Sequence, residues 1–358
     1  MREGRSLDKY HLLGRSGLRV SPLALGTMTF GRDWGWGSDL DEARSIFDAY
    51  IERGGNFIDT ANQYTNGKSE EFVGKFAVGR RDRLVIATKY ALPSRAGDPN
   101  SGGNHRKSMI HSAERSLKRL ATEYIDLLYL HCWDSTTPVD EILRAMDDLV
   151  RSGKVLYLGI SNTPAWQIAR LQTTAELRGW TPLIALQIEY NLIARTVERE
   201  LIPMASEIGL GVIPWSPLAE GILAGKYTHA DLNSTGAHVP GDGSRRSTVI
   251  AGGTVTERNL AIADVVKEVA TEIGKTSAQV ALAWLSSKCA VTSIIVGART
   301  LQQLNENLGS LDVELTGEQQ ARFDRAGRIE LGFPHDWLTW LETSEYMYGG
   351  VNIVPRGK

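Results

Sequence analysis

The stretch YIDLLYLHCWDSTTPVDEILRAMDDLVRSGKVLYLGIS, residues 124–161, decides the fold. It opens on an almost unbroken apolar run (124–131) and closes on another (155–161). A strand with one wet face alternates polar and apolar residues, whereas a parallel strand buried on both faces does not. Between the runs, residues 140–150 place Ile142, Leu143, Met146 and Leu149 at helical spacing. Pro138 sits near the helix start, where a missing N–H costs little, and Gly153 follows the helix end as a C-terminal cap should. The unit reads strand, helix, strand.

Outward in both directions the unit repeats. Further β-rich apolar runs predict strands over 21–26, 56–60, 84–89, 183–190, 211–216 and 291–297, which brings the count to eight. Amphipathic helices are expected over 41–53, 107–120, 259–273 and 277–287. Eight strands with intervening helices fit a (β/α)8 TIM barrel, one domain over 1–358. A doubly wound open sheet is the competitor. The strand count and the lack of a GxGxxG after the first strand weigh against it. Before the first barrel strand, YHLLGRSGLRV (10–20) reads as a hairpin turning at Ser16-Gly17 and placed to plug the barrel bottom. Residues 228–256 are rich in Gly, Ser and Thr and aperiodic, so they are expected to be a functional lid or partly unordered. Residues 328–358 read as a tail, loose at VPRGK.

Composition narrows the function classes. The formal net charge is -2, which gives no electrostatic case for nucleic acid or an anionic membrane as partner. No apolar run is long enough to span a bilayer, and the N-terminus has no apolar signal region. Cys132 and Cys289 belong to no CxxC pair and read as two small buried thiols, consistent with a reducing cytoplasm. No HxH or HExxH spacing occurs, so no metal site is expected.

Barrel enzymes keep their chemistry at the C-terminal ends of the strands. Here those ends carry Gly26, Asp59, Lys89, His131, Ser161-Asn162, Gln187, Ser216 and Gly297. Most are polar groups directly after apolar runs, and a barrel would gather them at one mouth. Asp59, Lys89 and His131 come from three strands, and Tyr64 lies in the loop after the second. A carbonyl accepting a hydride needs a proton, and a phenol has an ordinary pKa of about 10. A nearby ammonium favours the phenolate and lowers that value. Lys89 is the candidate ammonium, Asp59 its anchor, and His131 a hydrogen-bond donor to the substrate oxygen. The plainer reading is a structural ion pair, a loop aromatic and a capped strand end.

At these residues the chain resembles the aldo-keto reductases. The resemblance rests on GTMTFG from Gly26, NFIDTANQYTNGKSEEFVG from Asn56, ATKY from Ala87, DLLYLHCWD from Asp126 and GKVLYLGISN from Gly153. It continues in QIEYNLI from Gln187, IPWSPLAEGILAGKY from Ile213 and IIVGARTLQQLNENL from Ile294. The style is that of the branch with bacterial reductases and potassium-channel β subunits. The resemblance implies that Tyr64 is the proton donor, with Asp59, Lys89 and His131 completing the set, and that NADP(H) is the cofactor. Gly26, Thr27, Met28 and Asp59 would border that cofactor. Ser161, Asn162 and Gln187 would hold the carboxamide, and Trp215 would stack on the ring. Ser216, Pro217, Leu218, Gly221, Leu223 and Lys226 would receive the pyrophosphate. Gly297, Arg299, Gln303, Glu306 and Asn307 would meet the adenosine end, Arg299 suiting a 2′-phosphate. Trp34, Tyr64, His131 and Trp133 are the expected substrate wall, for apolar or aryl carbonyls or sugar rings. Late aromatics (Phe333, Trp337, Trp340, Tyr346, Tyr348) either join that wall or pack a tail on the barrel.

Three other functions compete. A Schiff-base lyase using Lys89 would leave Ser161-Asn162, Gln187 and the WSPL and GARTLQQLNEN stretches without a role. A redox-sensing subunit that binds NADP(H) with little turnover would use the same pocket. A metal-dependent hydrolase lacks ligand spacing. Small-molecule turnover is the expected activity, and oligomeric state is left open.

Overall fold

The computed structural model describes residues 6–232, 246, 249, 250, 252–351 and 353. A two-stranded antiparallel hairpin, β1 (His11–Leu12) and β2 (Arg19–Val20), precedes the main sheet. Eight parallel strands follow: β3 (Leu23–Gly26), β4 (Phe57–Asp59), β5 (Val85–Tyr90), β6 (Ile125–Leu130), β7 (Val155–Ser161), β8 (Leu183–Glu189), β9 (Gly211–Trp215) and β10 (Ile294–Gly297). Their order is β10-β3-β4-β5-β6-β7-β8-β9. A parallel bridge between Val212 and Val291, with the Thr292 N–H donating to the Val212 carbonyl (2.9 Å), links the two ends. The result is the (β/α)8 TIM barrel that the eight apolar runs predict.

Helices α1 (Leu40–Glu52), α2 (Lys68–Ala77), α3 (Arg106–Leu120), α4 (Val139–Arg151), α5 (Ala165–Arg178) and α6 (Leu201–Ile208) each follow one of the strands β3 to β8. Between β9 and β10 lie α7 (Glu257–Glu272) and α8 (Ser277–Ser286), and after β10 come α9 (Leu301–Leu308) and α10 (Gly317–Ala326). Their starts are set by side-chain caps. Thr276 and Gln279 form a reciprocal capping box at α8, and Thr300 accepts the Gln303 N–H at α9. Helix α4 shows the packing logic. It buries Ile142, Leu143, Met146 and Leu149 as their spacing predicts, at about 1.5–3 kcal/mol each.

Two apolar cores result. The larger lies between strands and helices. The smaller fills the barrel interior with Ala24, Phe57, Val85, Ala87, Leu127, Tyr129, Ala185, Ile213 and Ile295. Tyr129 crosses this interior onto Gly159, where a Cβ would lie 2.4 Å from the phenol ring, so only glycine fits. The hairpin adds Leu13 and Val20 to the same core. Gly14 (φ +55°) lets the hairpin seat, since a Cβ there would meet the Ile184 carbonyl at 2.2 Å. The Arg15 N–H donates to the Gly209 carbonyl. These contacts are with the starts of β8 and β9, so the hairpin closes the barrel floor as expected.

Three expectations fare differently. Cys132 is only half-buried, and Cys289 is exposed in the turn after α8, beyond the apolar stripe that would have covered it. The lid expected over 228–256 lies mostly outside the described residues, as does the loose VPRGK end except its neighbour Ile353. None of the late aromatics is buried. Phe333 precedes α11 (His335–Thr343), which carries Trp337 and Trp340, and α12 (Glu345–Tyr348) carries Tyr346 and Tyr348.

Candidate active site

Register gathers the candidate residues. Gly26 pairs with both Asp59 and Gly297, Lys89 with Tyr129, Ser161 with Gln187, and Glu189 with Trp215. The strand ends therefore form one ring at one mouth. Local strain concentrates there too. Thr65, Asn66, Ala91, Asn162, Ser216, Ala219 and Glu220 all adopt positive φ without being glycine. Such backbone costs of order 1–3 kcal/mol each and collects at functional sites.

The centre is a buried charge constellation. The Lys89 ammonium, fully buried, donates to Asp59 Oδ1 (2.6 Å), the Thr60 carbonyl (2.8 Å) and Tyr64 Oη (3.2 Å). Asp59 Oδ2 accepts from Gln187 Nε2 (2.8 Å). The Tyr64 ring stands edge-on to His131 at 6.1 Å and to Trp34 at 6.5 Å. The loop carrying Tyr64 is fixed from behind. Ser69 Oγ donates to the Thr27 carbonyl, and the buried Glu70 accepts from Thr88 Oγ and Arg119 Nε (both 2.6 Å). The His131 loop is fixed by Asn162 Nδ2 donating to the His131 carbonyl (2.9 Å) and by Asp134, which accepts from the Asn104, Thr136 and Thr137 amides.

Protonation follows from this geometry. Burial would drive Lys89 neutral, but attraction to Asp59 and then to Tyr64 outweighs it, so its pKa is raised and the amine stays charged. Burial pushes the Tyr64 phenol upward more than Lys89 pulls it down. Lys89 lowers it as expected, but burial and then the nearby Asp59 charge raise it, and the net shift is upward. Burial, and then Lys89, press His131 down to about 3, so its imidazole is neutral.

A cavity of about 660 Å³ opens beside the constellation, within the range of small-molecule and cofactor sites. At its core end stand Asp59, Tyr64, His131, Asn162 and Gln187, with Gly26 and Met28. One wall is Trp215, Ser216, Pro217, Leu218, Gly221 and Lys226, and the far end is Gly297, Arg299, Gln303 and Asn307. Helix α9 positions that end: Gln303 Oε1 accepts the Arg299 N–H, and Asn307 Nδ2 donates to the Gly297 carbonyl.

Some candidates stand off this cavity. The Thr27 hydroxyl donates to the Asp59 carbonyl, Leu223 is buried in the outer core, and Glu306 gives its carbonyl to Gln279. Lys89 sits behind Tyr64. Trp34 and Trp133 flank the mouth rather than the cavity. Residues that sequence reasoning missed include Thr29, Leu92, Tyr227 and Arg246. Arg246 is held by Asp231 and by the Lys226 carbonyl (2.9 Å), with its guanidinium 5.2 Å from the Tyr227 ring centre. It falls in the aperiodic 228–256 segment, where no pattern marks it.

The residues present fit a nicotinamide dinucleotide. Trp215 Nε1, on the cavity wall, is buried with no hydrogen-bond partner among the described residues; the Ser161 hydroxyl is likewise unpaired but fully buried behind the cavity lining. Such orphans are unusual in a native fold and are usually answered by water or a ligand. Arg246, Arg299 and Lys226 supply positive charge along the outer part of the same cavity. Among the described residues no group of His, Cys, Asp or Glu is arranged to hold a metal, and no helix is long and apolar enough to cross a membrane.

Comparison with known proteins agrees with this geometry. Residues 22–328 match the model of the aldo/keto reductase family. The chain is 38% identical to an aldo-keto reductase of Aspergillus calidoustus, over 93% of this chain and 85% of the relative. It is 36% identical to a norsolorinic acid reductase of Aspergillus flavus, over 96% of this chain and 88% of the relative. It is 37% identical to an aryl-alcohol dehydrogenase [NADP(+)] of Phanerodontia chrysosporium, over 95% and 89% respectively.

Proposed function

The chain belongs to the aldo/keto reductase family, and from that membership we propose that it reduces aryl carbonyls with NADPH, Tyr64 delivering the proton. The coarser activity, oxidoreduction between carbonyls and alcohols of small molecules, follows from the family itself. The observation that carries the finer reading is the three-way contact of Lys89 with Asp59, Thr60 and Tyr64 at the floor of the cavity.

The cofactor, when bound, supplies the hydride. The protein handles the proton. Tyr64 holds its proton at neutral pH as any ordinary phenol does, the more so for its burial, and enters reduction as an acid. Lys89 stabilises the phenolate left behind, and Asp59 keeps Lys89 placed and charged. His131, neutral, offers one N–H to the carbonyl oxygen. Ser161, Asn162 and Gln187 would orient the nicotinamide carboxamide, and Trp215 would set which ring face meets the substrate. Lys226, Arg246 and Arg299 would take the phosphates. The Trp34 and Tyr64 rings, edge-on to one another, give the approach an aromatic lining that suits an aryl group, and one relative is named for aryl-alcohol dehydrogenation with NADP(+).

The test is NADPH oxidation by the purified protein with a panel of aryl and alkyl aldehydes and ketones, NADH serving as control. Consumption of NADPH with aryl carbonyls is expected. Binding of NADPH without consumption by any carbonyl would favour the redox-sensing reading instead.

Two predictions arise here. Arg299→Ala should raise the KM for NADPH by about 10- to 100-fold, the loss of a charge-assisted bond to the 2′-phosphate, while KM for NADH stays close to wild type. Equal effects on both cofactors would remove Arg299 from that role. The second concerns pH. His131 takes up its proton only near pH 3. The neutral form therefore persists as pH rises from 5 to 8, and kcat/KM for reduction should show no His131 inflection there. An inflection near pH 6.5 that disappears in His131→Asn would contradict a neutral donor.

A further inference from the structure

After the barrel, α11 and α12 carry an exposed aromatic face. Trp337 and Trp340 lie 5.0 Å apart and Trp340 and Tyr346 5.2 Å apart. Phe333, Trp337, Trp340, Tyr346 and Tyr348 are between 41% and 87% exposed. At its root the tail is anchored by Arg199 donating to the Glu330 carbonyl (2.6 Å) and by His335 facing Glu200 (3.0 Å). A helix of nine residues is too short to hold in water unaided, since isolated helices are marginal below about 12–15 residues.

We infer that this face docks a second copy of the chain, the two tails covering one another across a two-fold axis. Aromatic side chains present roughly 150–250 Å² each. At these exposures five of them, with Leu338 and Met347, leave on the order of 800 Å² uncovered. Summed over the seven residues, that is of the order of one side of a standard interface, about 800 Å² per partner. An isologous pairing covers both faces at once. Charge narrows the occupant further. Residues 329–353 hold Glu330, Asp336, Glu342 and Glu345 and no Lys or Arg, which disfavours nucleic acid and anionic lipid. At 100° per residue, Trp337, Leu338, Trp340 and Leu341 share one arc of α11, with Asp336 and Glu342 off it. Like charges therefore stay at the rim of the pairing.

The inference is tested on the full chain by sedimentation velocity from about 0.1 to 50 μM, with Trp337→Glu and Trp340→Glu beside wild type. Wild type should sediment at twice the 39.4 kDa chain mass. Each variant should raise the dimer dissociation constant by at least about thirtyfold, as loss of a central aromatic anchor does, with carbonyl reduction per chain retained. A wild type that stays monomeric across the range overturns the inference. So does a dimer that both variants preserve. A monomeric wild type that co-sediments with neutral phosphatidylcholine vesicles, and loses this in Trp337→Glu, would assign the face to lipid and likewise overturn it.

Discussion

Tyr64→Phe should lower kcat for carbonyl reduction by about 10²–10⁴, the usual worth of a positioned general acid. The substitution removes one oxygen and keeps the ring, so the edge contacts with Trp34 and His131 persist. Lys89 keeps its two shorter bonds, to Asp59 and to the Thr60 carbonyl. The melting temperature should therefore change little, and the Kd for NADPH should stay within about twofold, because the basic side chains Lys226, Arg246 and Arg299 lie elsewhere in the cavity. Single-turnover reduction followed at the nicotinamide band separates these quantities. A kcat within about threefold of wild type would mean that another group supplies the proton, and the reading of the raised Tyr64 pKa would fall with it.

Lys89→Met should abolish measurable turnover and also destabilise the fold. Asp59 would keep the Gln187 amide donor but lose its counter-charge in a fully buried setting. Removing one partner of a buried ion pair costs about 3–5 kcal/mol, because the remaining charge is left uncompensated. At roughly 2–4 °C per kcal/mol for a larger domain, the melting temperature should drop by on the order of 10 °C. The double variant Asp59→Asn with Lys89→Met leaves no charge behind and should recover a good part of that stability while remaining inactive. Differential scanning calorimetry on the three proteins measures this. If the double variant melts no higher than Lys89→Met alone, uncompensated charge is not the cause of the loss.

Legibility in the sequence followed physical contrast. Strand β7 matches its predicted bounds because an apolar run that ends sharply at Ser161-Asn162 leaves no choice of register. The run over 291–297 was longer than the strand it contains: β10 begins at Ile294, since Val291 makes only an isolated bridge where the barrel closes. Asp59, Lys89 and His131 stood out as polar groups ending apolar strands, and the fold brings them together with Tyr64. Arg246 gave no such contrast. It comes from a stretch without periodicity and reaches the cavity through Asp231 and the Lys226 carbonyl, which no linear pattern encodes. Glu70 was hidden for the opposite reason. A carboxylate on a helix reads as solvent-facing until Thr88 and Arg119 are seen to enclose it.

By itself, then, the sequence determined the barrel, its plugging hairpin and the residue types gathered at its mouth. Buried parallel strands demand continuous apolar runs, and any polar residue ending such a run must face the mouth or be wasted. Only the tertiary structure decided the protonation of that cast and the fate of the tail. Whether Tyr64 shifts up or down depends on burial and the Asp59 charge set against Lys89 at 3.2 Å. Whether Trp337 and Trp340 are wall, core or interface depends on what lies across from them. Both are distances through space between residues far apart in the chain, and side-chain spacing along the chain carries no measure of them.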